Sequence, residues 1–113
     1  MSEPVPEPWK RKVREILQTG DLDRITMTLR AQTEWSAMFP KLYHYVLWDA
    51  IAEALKDPSL GGRWIDDMQE TGETYAFIFQ FKGKEVYTKI NLRPDGRIII
   101  IYSAHRPLKG EQP

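Results

Sequence analysis

Five side chains toward the C-terminal end of the chain have the types that chemistry on an anionic ligand needs: Tyr87, Lys89, Ser103, His105 and Arg106. An imidazole donates or accepts a proton near neutral pH. A phenol stacks on a base or gives a proton, an ammonium neutralises a phosphate, and a guanidinium holds one through two parallel hydrogen bonds. Taken one at a time, each is better explained as a solvated residue of a strand or of the segment after it. Their meaning rests on whether the fold gathers them on one surface.

Two turn signals bear on that. Phe81-Lys82-Gly83-Lys84 reads as a two-residue hairpin loop, and Arg93-Pro94-Asp95-Gly96-Arg97 as a type I turn closed by a glycine able to take positive φ. With Phe81 set opposite Lys84 and Arg93 opposite Arg97, alternation along the strands sorts the side chains. One face collects Tyr75, Phe77, Phe79, Phe81, Val86, Thr88, Ile90, Leu92, Ile98, Ile100, Tyr102 and Ala104, a core. The other holds Gln80, Glu85, Tyr87, Lys89, Ser103 and His105, with Tyr87 beside Ser103, Glu85 beside His105, and Lys89 one step further along.

The rest of the chain precedes this meander. Ser2 to Pro8 holds three prolines and two glutamates and reads as a frayed tail. A first helix starts near Pro8, places Trp9, Val13, Ile16 and Leu17 on one stripe, and stops at Gly20. Asp21 is expected to cap a second helical stretch from Leu22 to about Phe39, broken near Gln32 and ended by Pro40. A third helix, about Leu42 to Lys56, repeats Val46, Leu47, Ala50, Ile51, Ala54 and Leu55 at helical spacing and is expected to be the main helix against the sheet. Arg63 to Met68 reads as a short edge strand before a turn at Thr71-Gly72. Helices first and strands after predict an α+β fold, about three N-terminal helices packed on a three- to four-stranded antiparallel sheet. The sequence thus predicts a flexible tail over 1–8 and a single α+β domain over 9–110.

An apolar share of 42% over 113 residues supports one real core. The absence of Cys excludes a disulfide framework, a thiolate nucleophile and a Cys-built zinc site. The longest apolar run, Ile98 to Tyr102, is far below the roughly 20 residues a spanning helix needs, and Met1-Ser2-Glu3-Pro4 has neither the basic start nor the apolar stretch of a signal peptide. The expectation is a soluble, unexported, cytoplasmic protein with no membrane partner. A net charge of zero argues against a globally electropositive nucleic-acid binder. Yet residues 81–110 carry Lys82, Lys84, Lys89, Arg93, Arg97, Arg106 and Lys109 against only Glu85 and Asp95, a local excess of +5 that suits an anionic ligand on one surface.

Other candidates fare less well. Asp66 and Asp67 are strand neighbours and point to opposite faces, so solvated carboxylates explain them better than an ion site. His44 has no second His or carboxylate at i+4, so no metal site is expected there. Trp9, Trp35, Trp48 and Trp64 are most simply core and staple residues. No GxGxxG, P-loop, HExxH or nucleophile elbow is present, and no cofactor is expected.

The stretch Lys84-Glu85-Val86-Tyr87-Thr88-Lys89-Ile90, followed by Asp95-Gly96-Arg97-Ile98-Ile99-Ile100-Ile101-Tyr102-Ser103-Ala104-His105, resembles the C-terminal strands of the MqsR-type toxins in the wider RelE-like, barnase-like ribonuclease superfamily. The shared pattern is a Tyr-x-Lys strand, a turn, and a β-branched strand ending in Ser and often His. It covers the last third of the chain, with a looser match of helical order before it. The resemblance implies a small bacterial toxin that cuts mRNA without a metal and is held inactive by a cognate antitoxin. Tyr87 and Lys89 match the family's strand residues, and Arg63 or Lys56 supplies an upstream cation. Such toxins are usually strongly basic, and this chain is neutral overall.

In that chemistry the ribose 2′-OH attacks the adjacent phosphorus, so a base, an acid and a cation are needed. The expected roles are His105 as base or acid, Tyr87 as the complementary proton donor or a base-stacking residue, and Lys89 with Arg106 or Arg63 as charge stabilisers. Ser103 and Arg97 complete the expected RNA contacts. The competing reading is a non-catalytic protein-binding module whose sheet face or exposed aromatics dock a partner. Zero net charge favours the module, and the basic segment favours the nuclease.

Overall fold

The computed structural model describes residues 3–66 and 71–108. The chain enters on β1 (Glu3–Pro4), which pairs antiparallel with Gly61 and Gly62. These residues are therefore not the frayed tail that their prolines suggest: the Val5 N–H donates to the Leu60 carbonyl at 3.1 Å and the Val5 side chain is buried. Helix α1 (Glu7–Thr19) follows, with Pro8 in its first turn and Gly20 at its end. Its buried stripe is the expected Trp9, Val13, Ile16 and Leu17, joined by the stem of Lys10.

The segment expected as a second helical stretch divides differently. Asp21 makes a turn, its side chain accepting from the Asp23 N–H at 2.8 Å and its carbonyl from Arg24 and Ile25. Residues Ile25–Met27 then form strand β2, and helix α2 spans Leu29–Met38. The break lies at Thr28 rather than near Gln32, because the Thr28 hydroxyl caps α2 by accepting from the Ala31 N–H at 3.1 Å. In Ile25-Thr26-Met27 the outer two side chains are buried and the middle one is exposed, the two-residue period of a half-buried strand.

Helix α3 (His44–Ala54) buries Leu47, Trp48, Ile51 and Ala52 along its length and Leu55 at its end, with Val46, Ala50 and Ala54 packed against that core. It lies mainly against α1, whose long cations finish it: Lys10 Nζ donates to the Asp57 carbonyl at 2.9 Å and Arg14 Nη1 to the Leu55 carbonyl at 3.2 Å. The Leu55 carbonyl at the helix end thus gains a side-chain donor, the Asp57 carbonyl beyond it also accepts from the Leu60 N–H at 3.2 Å, and α3 has no basic residue of its own in its last turn. The helix closest to the sheet is α2, against its last long strand, and not α3 as the helical spacing suggested.

The remaining strands are β3 (Gly61–Ile65), β4 (Glu73–Phe81), β5 (Lys84–Leu92) and β6 (Ile99–His105). The fold is α+β with three helices and a six-stranded mixed sheet in the order β1-β3-β4-β5-β6-β2, larger than the three or four antiparallel strands expected. β2 runs parallel to β6, and the other neighbours are antiparallel. Of the expected edge strand, Asp66 lies beyond β3, and Asp67 and Met68 lie outside the described residues. The helices cover one sheet face, where Trp9 stands edge-on to Tyr75 at 5.1 Å and Trp35 packs on Phe39 and Phe81 at 4.7 and 5.9 Å. Trp64 is the tryptophan that departs from a core role: it is 48% exposed, against Tyr75 at the sheet edge. No helix among the described residues is long and apolar enough to cross a membrane.

The β4–β5 register is the one expected, with Phe81 opposite Lys84 and a turn in which Lys82 and Gly83 both take positive φ, 49° and 78°. The β5–β6 register departs from expectation twice. The Arg93 N–H bonds to the Ile98 carbonyl at 3.0 Å, so the loop holds one residue more than a turn pairing Arg93 with Arg97. That shift puts Ile99 and Ile101, rather than Ile98 and Ile100, fully into the core. A bulge then leaves Tyr102 as an extra residue between the pairs Ile90–Ile101 and Lys89–Ser103. Two single-residue shifts restore the original alternation, so Ala104 faces the core and Ser103 and His105 stay on the other side.

Candidate active site

Beyond the bulge the uncovered face has two adjacent rows. One runs Ile78, Tyr87, His105 across β4, β5 and β6, and the other runs Arg63, Ala76, Lys89, Ser103 across β3 to β6. Tyr87 is thus the neighbour of His105, and Lys89 of Ser103, in place of the expected Tyr87–Ser103 and Glu85–His105 pairs. Glu85 lies past the last residue that β6 pairs and faces Gln80. Strands about 4.8 Å apart put the Arg63 and Lys89 backbones about 10 Å from each other, with only the methyl of Ala76 between them. Neither cation pairs with a described carboxylate; Arg63 is exposed and Lys89 half-buried.

His105 is held from three sides. Its ring stacks on Tyr87, centroids 5.2 Å apart and planes 22° from parallel. Its Nδ1 lies 2.6 Å from the Arg106 carbonyl oxygen, and its Nε2 lies 3.9 Å from Glu34 Oε2. A carbonyl only accepts, so this contact favours the tautomer that donates from Nδ1 and leaves Nε2 on the side of Glu34. The imidazole side chain is 12% exposed, which leaves an edge of it within reach of a ligand.

Glu34 is the residue that sequence reasoning missed. β2 pairs with β6 only as far as Ile101, after which the chain turns into α2 and the outer edge of β6 loses its strand partner. The Glu34 carboxylate of α2 takes that place, accepting from the Ala104 N–H at 3.0 Å while Oε2 accepts from Arg30 Nε at 3.0 Å. The i, i+4 pair Arg30/Glu34 looks in the sequence like an ordinary surface ion pair, and no local signal says that one member reaches a strand end.

Several expectations change. Tyr87 is 3% exposed and packs with Ile65, Ala76 and Ile78 in a small second cluster, so its ring is a support for His105 and not a surface for a base. Ser103 is buried too. Arg106 is exposed immediately after His105. Arg97 sits in the loop before β6, eight residues or about 26 Å from His105 at strand spacing, where its carbonyl accepts from Arg24 Nε at 2.9 Å. Of the two upstream cations, Lys56 pairs with Glu53 at 3.1 Å past the end of α3, whereas Arg63 shares the face with Lys89. His44 is half-buried at the start of α3.

No protein-family model, curated protein or solved structure matches this chain. Among the described residues no group of three His, Cys, Asp or Glu side chains is placed to hold a metal ion.

Proposed function

We propose that the chain is a metal-independent endoribonuclease toxin that cleaves single-stranded mRNA by attack of the ribose 2′-OH on the adjacent phosphorus, and that an antitoxin protein holds it inactive. The observation that supports the reading is His105 itself, with Nδ1 against the Arg106 carbonyl, Glu34 Oε2 3.9 Å from Nε2, and two cations in the neighbouring row. The resemblance of the last strands to the MqsR-type toxins supports the same chemistry and is the basis for the antitoxin.

In this mechanism Nε2 of His105 takes the 2′-OH proton, and Glu34 stabilises the imidazolium that forms. Attacking and leaving oxygens stand on opposite sides of phosphorus, so a second group must protonate the leaving 5′-oxygen. The proposal gives that role to Lys89, in the next row, and gives Arg63 and Arg106 the charge on the phosphoryl oxygens. The O2′–P bond forms, the P–O5′ bond breaks, and a 2′,3′-cyclic phosphate results. Tyr87 positions the imidazole by stacking. The reading of a non-catalytic binding module keeps the zero net charge and gains the burial of Tyr87 and Ser103.

Incubation of the purified chain with single-stranded RNA in EDTA, alone and with translating ribosomes, tests the proposal. Cleavage is expected in at least one of the two conditions, and growth arrest on induction in bacteria. Intact RNA in both, with normal growth, would leave the binding module as the better account.

A further inference from the structure

We propose that the exposed tyrosine pair at the start of α3, together with the lysines around it, is a stacking subsite for single-stranded RNA leaving the His105 region; this rests on the ribonuclease reading. Tyr43 and Tyr45 are 73% and 55% exposed, and their rings lie 5.8 Å apart and 18° from parallel. Burial explains most aromatic rings of this chain, and it does not explain these two.

The corner that carries them is firmly built. Trp35 Nε1 donates to the Leu42 carbonyl at 3.2 Å, and Phe39 packs on Phe81 of the β4–β5 hairpin at 5.3 Å. From the hairpin tip, Lys84 Nζ donates to the Met38 carbonyl at 3.3 Å and lies 5.0 Å from the centre of the Phe39 ring, while Lys82 lies 5.4 Å from that of Phe81. The hairpin tip and the α2–α3 connection thus form one unit, which carries Lys41 two residues before Tyr43 and, against Met38, Phe39 and Phe81, the hairpin lysines Lys84 and Lys82. Lys41 and Lys82 pair with no described carboxylate. Asp49, one turn along α3 from Tyr45, is the nearest carboxylate in sequence and bounds the subsite on that side.

Stacking rings beside unneutralised cations are what an unpaired nucleic acid strand needs, since every base has a π-face and every linkage a charge. An apolar protein segment would use the rings and leave the lysines without a role. Lys84 stands on the helix side of β5 and the row of Tyr87 and His105 on the opposite side, three residues or about 10 Å further along, so a strand of several nucleotides joins the two places by rounding the hairpin end of the sheet.

The test uses fluorescence anisotropy with 2′-O-methyl RNA, which lacks the attacking hydroxyl and so reports binding apart from cleavage. A long (about twelve-nucleotide) and a short (about three-nucleotide) oligomer separate the subsite from the His105 region. The Tyr43→Ala/Tyr45→Ala variant should bind the long oligomer at least about tenfold more weakly and the short one unchanged, with Tyr43→Phe/Tyr45→Phe retaining wild-type affinity. Lys41→Ala/Lys82→Ala should lower the salt dependence of long-oligomer binding by about 1.4 in log–log slope, the value for two phosphates of a single strand. Unchanged long-oligomer affinity in the alanine variant, in a chain that still cleaves RNA, overturns the subsite alone. Equal losses for both oligomers overturn it as well, since the change is then general. A wild-type chain that binds neither oligomer at low salt overturns the subsite, and cleavage with translating ribosomes then decides the ribonuclease reading separately.

Discussion

The two faces of the sheet are built from the same strands and do opposite work. On the covered face β4 alternates Tyr75, Phe77 and Phe79 against Trp9 and the helices, and nothing ionisable stands in the middle of it except the Tyr75 phenol. On the uncovered face the same strand offers Ala76 and Ile78, and the cross-strand neighbours are Arg63, Lys89, Tyr87 and His105. Small residues in the middle of that face leave Arg63, Lys89 and the His105 imidazole, from three strands, as its projecting polar groups. Volume on one face supplies stability, and in the proposed ribonuclease its absence on the other would admit RNA.

The comparison is broken most easily at adjacent residues of β4. Phe77→Ala should lose about 3–5 kcal/mol of unfolding free energy, and Ile78→Ala about 1 kcal/mol, as read from urea melts. Equal losses would make the uncovered face a second core. Tyr87→Ala should fall between them, about 2 kcal/mol, because its ring is buried in a cluster of only a few side chains. A loss as large as that of Phe77→Ala would make Tyr87 a core residue of the fold rather than a support for His105.

His105→Ala should change stability by less than about 1 kcal/mol while reducing RNA cleavage by at least about 100-fold. Glu34→Gln keeps an acceptor for the Ala104 N–H and removes the charge behind Nε2. Its cleavage should fall while its melting curve stays close to wild type, and a parallel loss of both would make Glu34 a cap for β6 and nothing more.

The smallest effect concerns Tyr75. Burial, reinforced by the negative charges of Glu73 and Glu3, raises its phenol above the ordinary value of 10.0. The folded state therefore prefers the neutral phenol, and the stability this gives is full below the unfolded pKa and lost as the pH rises from there through the raised folded pKa. Urea melts at about pH 9 and about pH 11 should show a loss in the wild type that Tyr75→Phe reduces. An identical alkaline loss in the two proteins would place the sensitivity elsewhere.

How far the sequence could be read follows from the same strands. The β4–β5 hairpin was legible because Lys-Gly dictates a two-residue turn and the alternating rings of β4 admit one register. Ile98-Ile99-Ile100-Ile101 contains no polar residue to tell inside from outside, so neither the longer loop at Arg93–Ile98 nor the bulge at Tyr102 left a trace in the pattern. The face of His105 was right because the two shifts cancel, and its neighbour was wrong because they add. β2 was hidden by its length of three residues, too short for periodicity to speak. Glu34 was hidden because its partner, the Ala104 N–H, lies 70 residues away.

The account stands most directly on the ends of the RNA it predicts to be cut. Products formed by the wild-type chain in EDTA should end in 2′,3′-cyclic phosphate, should not form from 2′-O-methyl RNA, and should disappear with His105→Ala in a protein that still melts normally. Cleavage of 2′-O-methyl RNA, or full activity in the His105→Ala variant, would contradict the mechanism at its first step.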